Sequence, residues 1–146
     1  MNATLILNPA AGGGRAGKRA EEAVKRLEAM GFTIDLVRTE GPGHATELAR
    51  DAETEVVIAG GGDGTTFEVI NGLADREAPP VLGILPLGTG NSFLRDFDIT
   101  CADDAFAALG RKERRPIDLV RIEHRGGSLH YVNLLSLGFT LSLIHI

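Results

Sequence analysis

The chain has 146 residues, of which 43% are hydrophobic and 24% charged, with a formal net charge of -5. That is enough apolar content for one core and little more, while the acidic balance and 5% aromatic content argue against a nucleic-acid partner, which needs a basic stripe or stacking rings. A single cysteine, Cys101, rules out an internal disulfide and suits a reducing cytoplasm.

No stretch approaches the roughly 18 apolar residues of a transmembrane span, and the apolar start, Leu5 to Leu7, is too short for a secretory leader. A cytoplasmic protein is expected, and any lipid substrate would be met at the membrane surface, peripherally to its inner face.

In chain order, a first strand over 3 to 8 runs into Asn8-Pro9-Ala10-Ala11-Gly12-Gly13-Gly14-Arg15-Ala16-Gly17. A helix over 16 to 30 follows, because Ala20, Ala23, Val24, Leu27 and Met30 recur at helical spacing and Gly31 supplies the stop. Gly12, Gly14 and Gly17 fit the G-x-G-x-x-G dinucleotide pattern, with Asp35 as the acidic residue downstream. Asp35, however, lies inside the alternating stretch Phe32 to Val37, a strand over 32 to 37, and not at a strand end where a ribose would reach it. A helix over 44 to 52 carries Ala45, Leu48, Ala49 and Ala52 on one face, and His44 reads first as a cap or surface residue at its start.

The strand over 55 to 59 then meets the most informative segment, Gly60-Gly61-Gly62-Asp63-Gly64-Thr65-Thr66-Phe67-Glu68, which leads into a helix over 66 to 74. Glycine lets backbone N–H groups approach an anion with no Cβ in the way, and the first turn of a helix offers unpaired N–H groups and the positive end of a dipole. This is a phosphate cradle. Asp63 stands out, since a bare carboxylate repels phosphate unless a divalent cation or a hydroxyl that it holds resolves the conflict. A plainer reading is compatible: Thr65 and Glu68 have capping-box spacing.

A strand over 81 to 85 ends in a second loop of this kind, Pro86-Leu87-Gly88-Thr89-Gly90-Asn91-Ser92-Phe93, where Asn91 is the natural N-cap of a short helix over 91 to 96. A helix over 103 to 109 precedes the basic cluster Arg111, Lys112, Arg114 and Arg115, either a solvated face or a patch for anionic headgroups. Beyond Pro116, Ile117 to Glu123 and Leu129 to Leu135 read as a hairpin joined by residues 124 to 128. Strands alternating with helices predict an α/β fold, a three-layer Rossmann-like parallel sheet with helices on both faces, followed by the start of an antiparallel β region. The expected division is a nucleotide-binding unit over 1 to 115 and the first hairpin of an incomplete β-rich unit over 116 to 146.

Asn8-Pro9-x-Ala11-Gly12, Thr39 with Gly43-His44-Ala45, the Gly61 to Thr65 loop continuing into Glu68-Val69-Ile70-Asn71-Gly72-Leu73, and Pro86-Leu87-Gly88-Thr89-Gly90-Asn91 together resemble the diacylglycerol kinase catalytic domain family of bacterial-type lipid kinases. Its wider superfamily includes sphingosine kinases, NAD kinases and phosphofructokinases. The resemblance implies that ATP, with Mg²⁺ offsetting its charge, contacts Thr39, Gly61, Gly62, Asp63, Gly64, Thr65, Thr66, Phe67 and Thr89, with Asn8 and Asn91 as supporting polar groups. Asp63 is the one carboxylate here assigned to the chemistry, and no metal-ligand set is assigned. Ser92 stands where the family most often has Asp.

The implied activity is transfer of the ATP γ-phosphoryl group to a lipid hydroxyl, of diacylglycerol or a sphingoid or related lipid. Family members run, by resemblance, to about twice this length, with a second β-sandwich-like domain that supplies the base, a metal site and much of the lipid pocket. The chain is therefore expected to be an N-terminal fragment that binds nucleotide but turns over little. Thr140 departs from the family pattern, the closing residues are expected to be foreign to it, and the open hairpin edge is an expected pairing site for homo-oligomers. Alternatives are an NAD kinase-like enzyme and a non-catalytic nucleotide-binding module.

Overall fold

A computed structural model describes residues 1–132. Four strands, β1 (Asn2–Leu7), β2 (Thr33–Arg38), β3 (Val56–Gly61) and β4 (Val81–Pro86), form one parallel sheet in the order β2-β1-β3-β4. The two central strands are buried along almost their whole length, so they read as continuous apolar runs. Successive side chains nevertheless go to opposite faces. Leu5, Leu7, Val56 and Ile58 pack with Ala20, Ala23 and Leu27 of α2 (Ala20–Ala29) and with Phe106 of α6 (Ala102–Arg111). Ile6, Val57 and Ala59 pack on the other face with Ala45 and Ala49 of α3 (His44–Asp51) and Val69 and Leu73 of α4 (Asp63–Leu73). The expected three-layer α/β architecture is present.

The helix expected over 16 to 30 is in fact two, α1 (Arg15–Lys18) and α2, separated at Arg19. Gly17 is a weak helix former, and the first turn is tied back to the preceding loop by Ala16 N–H to Ala11 O and Gly17 N–H to Pro9 O. A straight continuation would break those bonds.

The contact between α3 and α4 depends on Gly72, where a Cβ would lie 2.7 Å from the Ala49 Cβ and would collide with the Thr46 carbonyl. Arg76 stands just beyond α4 and donates from one guanidinium nitrogen to the carbonyls of Ala49, Arg50 and Ala52, the last at 2.6 Å. It thereby satisfies the orphan C-terminal carbonyls of α3.

After α5 (Ser92–Arg95) and α6, the chain forms the antiparallel pair β5 (Val120–His124) and β6 (Gly127–Tyr131), joined by the two-residue turn Arg125-Gly126. The expected hairpin is there, but β5 starts three residues later than its hydrophobic run, at Val120, and β6 two residues earlier, at Gly127, because the turn is two residues long. The expected extension to Leu135 and the closing residues 140–146 lie outside the described residues.

Candidate functional site

Because all four strands run parallel, their C-terminal ends share one edge, and the three glycine loops follow from β1, β3 and β4 at that edge. They touch one another directly. Between the first and second, Asn8 N–H donates to Gly60 O at 2.9 Å, and Asn8 Nδ2 donates to Thr65 Oγ1 at 3.3 Å. Between the second and third, Leu87 and Gly88 N–H both donate to Gly61 O at 2.9 Å, and Asp63 N–H donates to Gly90 O at 3.0 Å. Between the first and third, a Cβ on Gly12, whose φ is +63°, would sit 2.8 Å from Leu87 O. Thr39 joins the rim at the end of β2, its N–H donating to Leu7 O at 2.9 Å.

Close backbone approach explains Gly62 of the second loop and Gly88 of the third better than any turn requirement. A Cβ on Gly88 would stand 2.7 Å from Gly62 Cα, and one on Gly62 would stand 2.9 Å from Gly90 O. Neither position has room for a side chain. Gly64, by contrast, has nothing within 4 Å of its Cβ position and opens to the outside of the loop.

Helix α4 starts at Asp63, three residues earlier than its apolar pattern indicates. Its first turn therefore directs the Gly64 and Thr65 N–H groups, which have no acceptor within the helix, to the same edge. Thr65 is consequently the third residue of the helix and not its cap, and the capping box expected from Thr65 and Glu68 does not form. Thr65 is buried, with its hydroxyl lying over Gly61 and accepting from Asn8, while Glu68 Oε2 accepts from the Ala45 N–H at 3.2 Å and so closes the start of α3. Asn91 is also not the expected side-chain cap. Its Nδ2 donates to Gly88 O at 3.1 Å and fixes the third loop.

The Asp63 carboxylate faces the third loop. Its Oδ1 accepts from Ser92 N–H at 2.9 Å, and its Oδ2 accepts from the Ser92 hydroxyl at 3.1 Å. Ser92, legible in sequence only as a departure from the family pattern, is thus the partner that orients the carboxylate. Thr66 is buried, and Phe67 and Thr89 are exposed beside the loops. Taken together, the sequence-selected residues lie on or beside one rim.

Asp35 is the third residue of β2, opposite Thr4, far from the strand end that a dinucleotide fingerprint needs. His44 is the first residue of α3 and not its cap, which is Gly43; its Nδ1 accepts from Glu40 N–H at 3.1 Å and closes the turn before the helix. Lys112 of the basic cluster lies over the Phe32 ring, next to Gly31 and so beside the start of β2, at the end of the sheet opposite the loops. A hollow of about 670 Å³ is found along the free side of β4, between Phe93, Phe97, Leu109 and the segment after α6. It is separate from the rim and carries none of its polar groups.

A model of the diacylglycerol kinase catalytic domain matches residues 2–122. The chain belongs to the diacylglycerol kinase catalytic domain family. It is 36% identical over 125 residues to a diacylglycerol kinase of Bacillus subtilis, a match covering 82% of this chain and 41% of that protein. A diacylglycerol kinase of Staphylococcus saprophyticus is 44% identical over 96 residues, covering 64% of this chain and 32% of the relative. Among solved structures, a diacylglycerol kinase from Bacillus anthracis superposes with a TM-score of 0.75 at 31% identity, over 87% of this chain and 45% of that one. The chain thus spans less than half the length of each of these relatives. Among the described residues, no helix is long and apolar enough to cross a membrane.

Proposed function

We propose that the rim formed by Asn8, Thr39, the Gly61 to Phe67 segment, Thr89 and Asn91 binds the phosphates of ATP. In this reading the chain is the nucleotide-binding part of a kinase that passes the γ-phosphoryl group to a lipid hydroxyl at a membrane surface. The observation that carries the reading is the mutual contact of three glycine loops around the first turn of α4, where Gly62 and Gly88 meet backbone to backbone. Such packing brings the backbone close to the first turn of α4, whose Gly64 and Thr65 N–H groups are left to face an anion, the arrangement that favours phosphate. Membership of a kinase family agrees with it.

The donor set fits both ATP and its metal. Gly64 and Thr65 N–H groups would face phosphate oxygens, and Asp63 is a hard oxygen ligand of the kind that holds Mg²⁺ together with phosphates. When bound, Mg²⁺ would neutralise phosphate charge. The chain's own part is positional: the Ser92 N–H and hydroxyl keep Asp63 in one orientation, and Asn8 holds Thr65, so the first turn of α4 is fixed before nucleotide arrives. Phosphoryl transfer draws most of its acceleration from such positioning and from electrostatic stabilisation.

Calorimetry of the purified chain with ATP and Mg²⁺ tests the proposal, followed by a transfer assay with diacylglycerol or sphingosine in mixed micelles and with NAD as the competing acceptor. Saturable ATP binding, weakened at least about tenfold in Asp63→Ala by loss of a charged ligand, is the expected result. Absence of nucleotide binding would end the reading. Binding without transfer to any acceptor would leave a nucleotide-binding module, and transfer to NAD would move the chain to the NAD kinase class.

A further inference from the structure

Asn71 has no place in the rim, yet its amide makes three hydrogen bonds, two of them to a residue 59 positions away. Its Nδ2 donates to Phe67 O and to His130 O, each at 2.9 Å, and its Oδ1 accepts from His130 N–H at 2.8 Å. Asn71 lies on α4, eight residues beyond Asp63, and His130 lies on β6. Asparagine is a poor residue for a helix interior, so its presence there is explained by what the amide does outside the helix.

The pairing pattern of the hairpin explains why His130 is available. With a two-residue turn, His124 and Gly127 form the closing hydrogen-bonded pair, and the alternation of an antiparallel ladder makes Arg121 and His130 a non-hydrogen-bonded pair. Both backbone groups of His130 therefore point away from β5, toward the open side of β6. There the Asn71 amide supplies one donor and one acceptor, as the peptide group of a third strand would. The His130 ring is buried, with Nε2 3.9 Å from Oδ1 of Asp75, which lies in the turn just after α4, four residues along from Asn71.

We infer that the Asn71 side-chain amide stands in for a neighbouring strand and latches the β5–β6 hairpin to the helix that begins at the phosphate-type loop. Its bond to Phe67 O runs back toward the first turn of α4, so one side chain ties the loop helix to the antiparallel segment. The latch also occupies edge groups of β6 that would otherwise be free to pair with another chain. It needs no nucleotide and stands apart from the proposed ATP binding.

The test is amide hydrogen exchange by NMR on the whole chain and on the variants Asn71→Leu and Asn71→Asp. In Asn71→Leu the His130 amide exchanges at least about tenfold faster, as expected for loss of a local hydrogen-bonded closure, while Leu5 and Ile58 amides keep their protection. Asn71→Asp retains the acceptor for His130 N–H but loses the donor, and it exchanges at an intermediate rate. Equal protection of His130 in all three proteins overturns the inference. If Asn71→Leu does not fold, the native protein decides: a scalar coupling across the hydrogen bond between Asn71 Nδ2 and the His130 carbonyl carbon is expected, and its absence overturns the latch.

Discussion

The parallel sheet and the hairpin are both β structure, but they are stabilised in different ways. In β1 and β3 almost every side chain is buried between two helical layers, whereas in β5 and β6 Val120 and Leu129 are 49% and 43% exposed and, of the hairpin's residues, His130 alone is buried. The sheet is held by apolar area, at about 1.5 to 3 kcal/mol for each fully buried large side chain. The hairpin is held by its turn, its ladder and a polar clasp on α4. This contrast teaches that the rim residues rest on the buried part of the molecule, while the hairpin meets α4 through a few hydrogen bonds, so release of the hairpin without unfolding of the sheet is the expected behaviour.

Core truncation gives the largest expected break between the two regions. Ile58→Ala, at a wholly buried site in the middle of the sheet, should lower unfolding free energy by about 4 kcal/mol through lost transfer energy and a cavity, readable by urea denaturation. A loss under about 1 kcal/mol would contradict the burial described for β3. Gly72→Ala is next. The added methyl group meets the Thr46 carbonyl and Ala49 and forces α3 and α4 apart, so a destabilisation of about 2 to 3 kcal/mol is expected from overpacking, even though alanine is the better helix former.

Arg76→Ala should cost about 2 kcal/mol, since three carbonyls at the end of α3 lose a charged donor. The loss should appear as faster exchange confined to the last turn of α3 before any global change. On the hairpin, Leu129→Ser should change stability by no more than about 0.5 kcal/mol, and a loss comparable with that of Ile58→Ala would erase the distinction between the regions.

The smallest effect concerns pH. Thr100 N–H first, then the Thr100 hydroxyl and the Cys101 groups, stabilise the Asp104 carboxylate at the start of α6 and lower its pKa from 3.8 to about 2. A carboxylate with a depressed folded-state pKa stabilises the protein fully above its unfolded value and loses that contribution as pH falls through the folded one. The difference in melting temperature between the native chain and Asp104→Asn should therefore be constant above about pH 5 and shrink between pH 3.8 and about 2. A difference that persisted unchanged to pH 2 would mean that the carboxylate charge is not what closes the helix.

Much of the fold was legible because its causes are local. Apolar runs followed by glycine-bearing loops gave β1, β3 and β4, the helical spacing of Ala20, Ala23 and Leu27 gave α2, and the loops after the strands marked where polar chemistry would collect. Short-range readings failed where a residue had both a local partner and a distant one. Thr65 and Glu68 match a capping box, yet Asn8 takes the first and the start of α3 takes the second. Arg76 had no signal beyond being a cation after a helix, and Asn71 none beyond its place in a family motif, neither of which names a partner, because those partners lie 24 to 27 and 59 residues away.

The sequence by itself determined the order of strands and helices, which residues are small enough for backbones to touch, and the family. Those properties follow from side-chain size, periodicity and backbone freedom, each of which can be read within a few neighbours. Only the tertiary structure decided that Gly62 meets Gly88, that Ser92 holds Asp63, and that Asn71 serves as a strand's edge for His130. Each of these pairs is brought together by the parallel sheet and the helices packed on it, and hydrogen-bond geometry depends on position in space, which the order of residues along the chain does not specify.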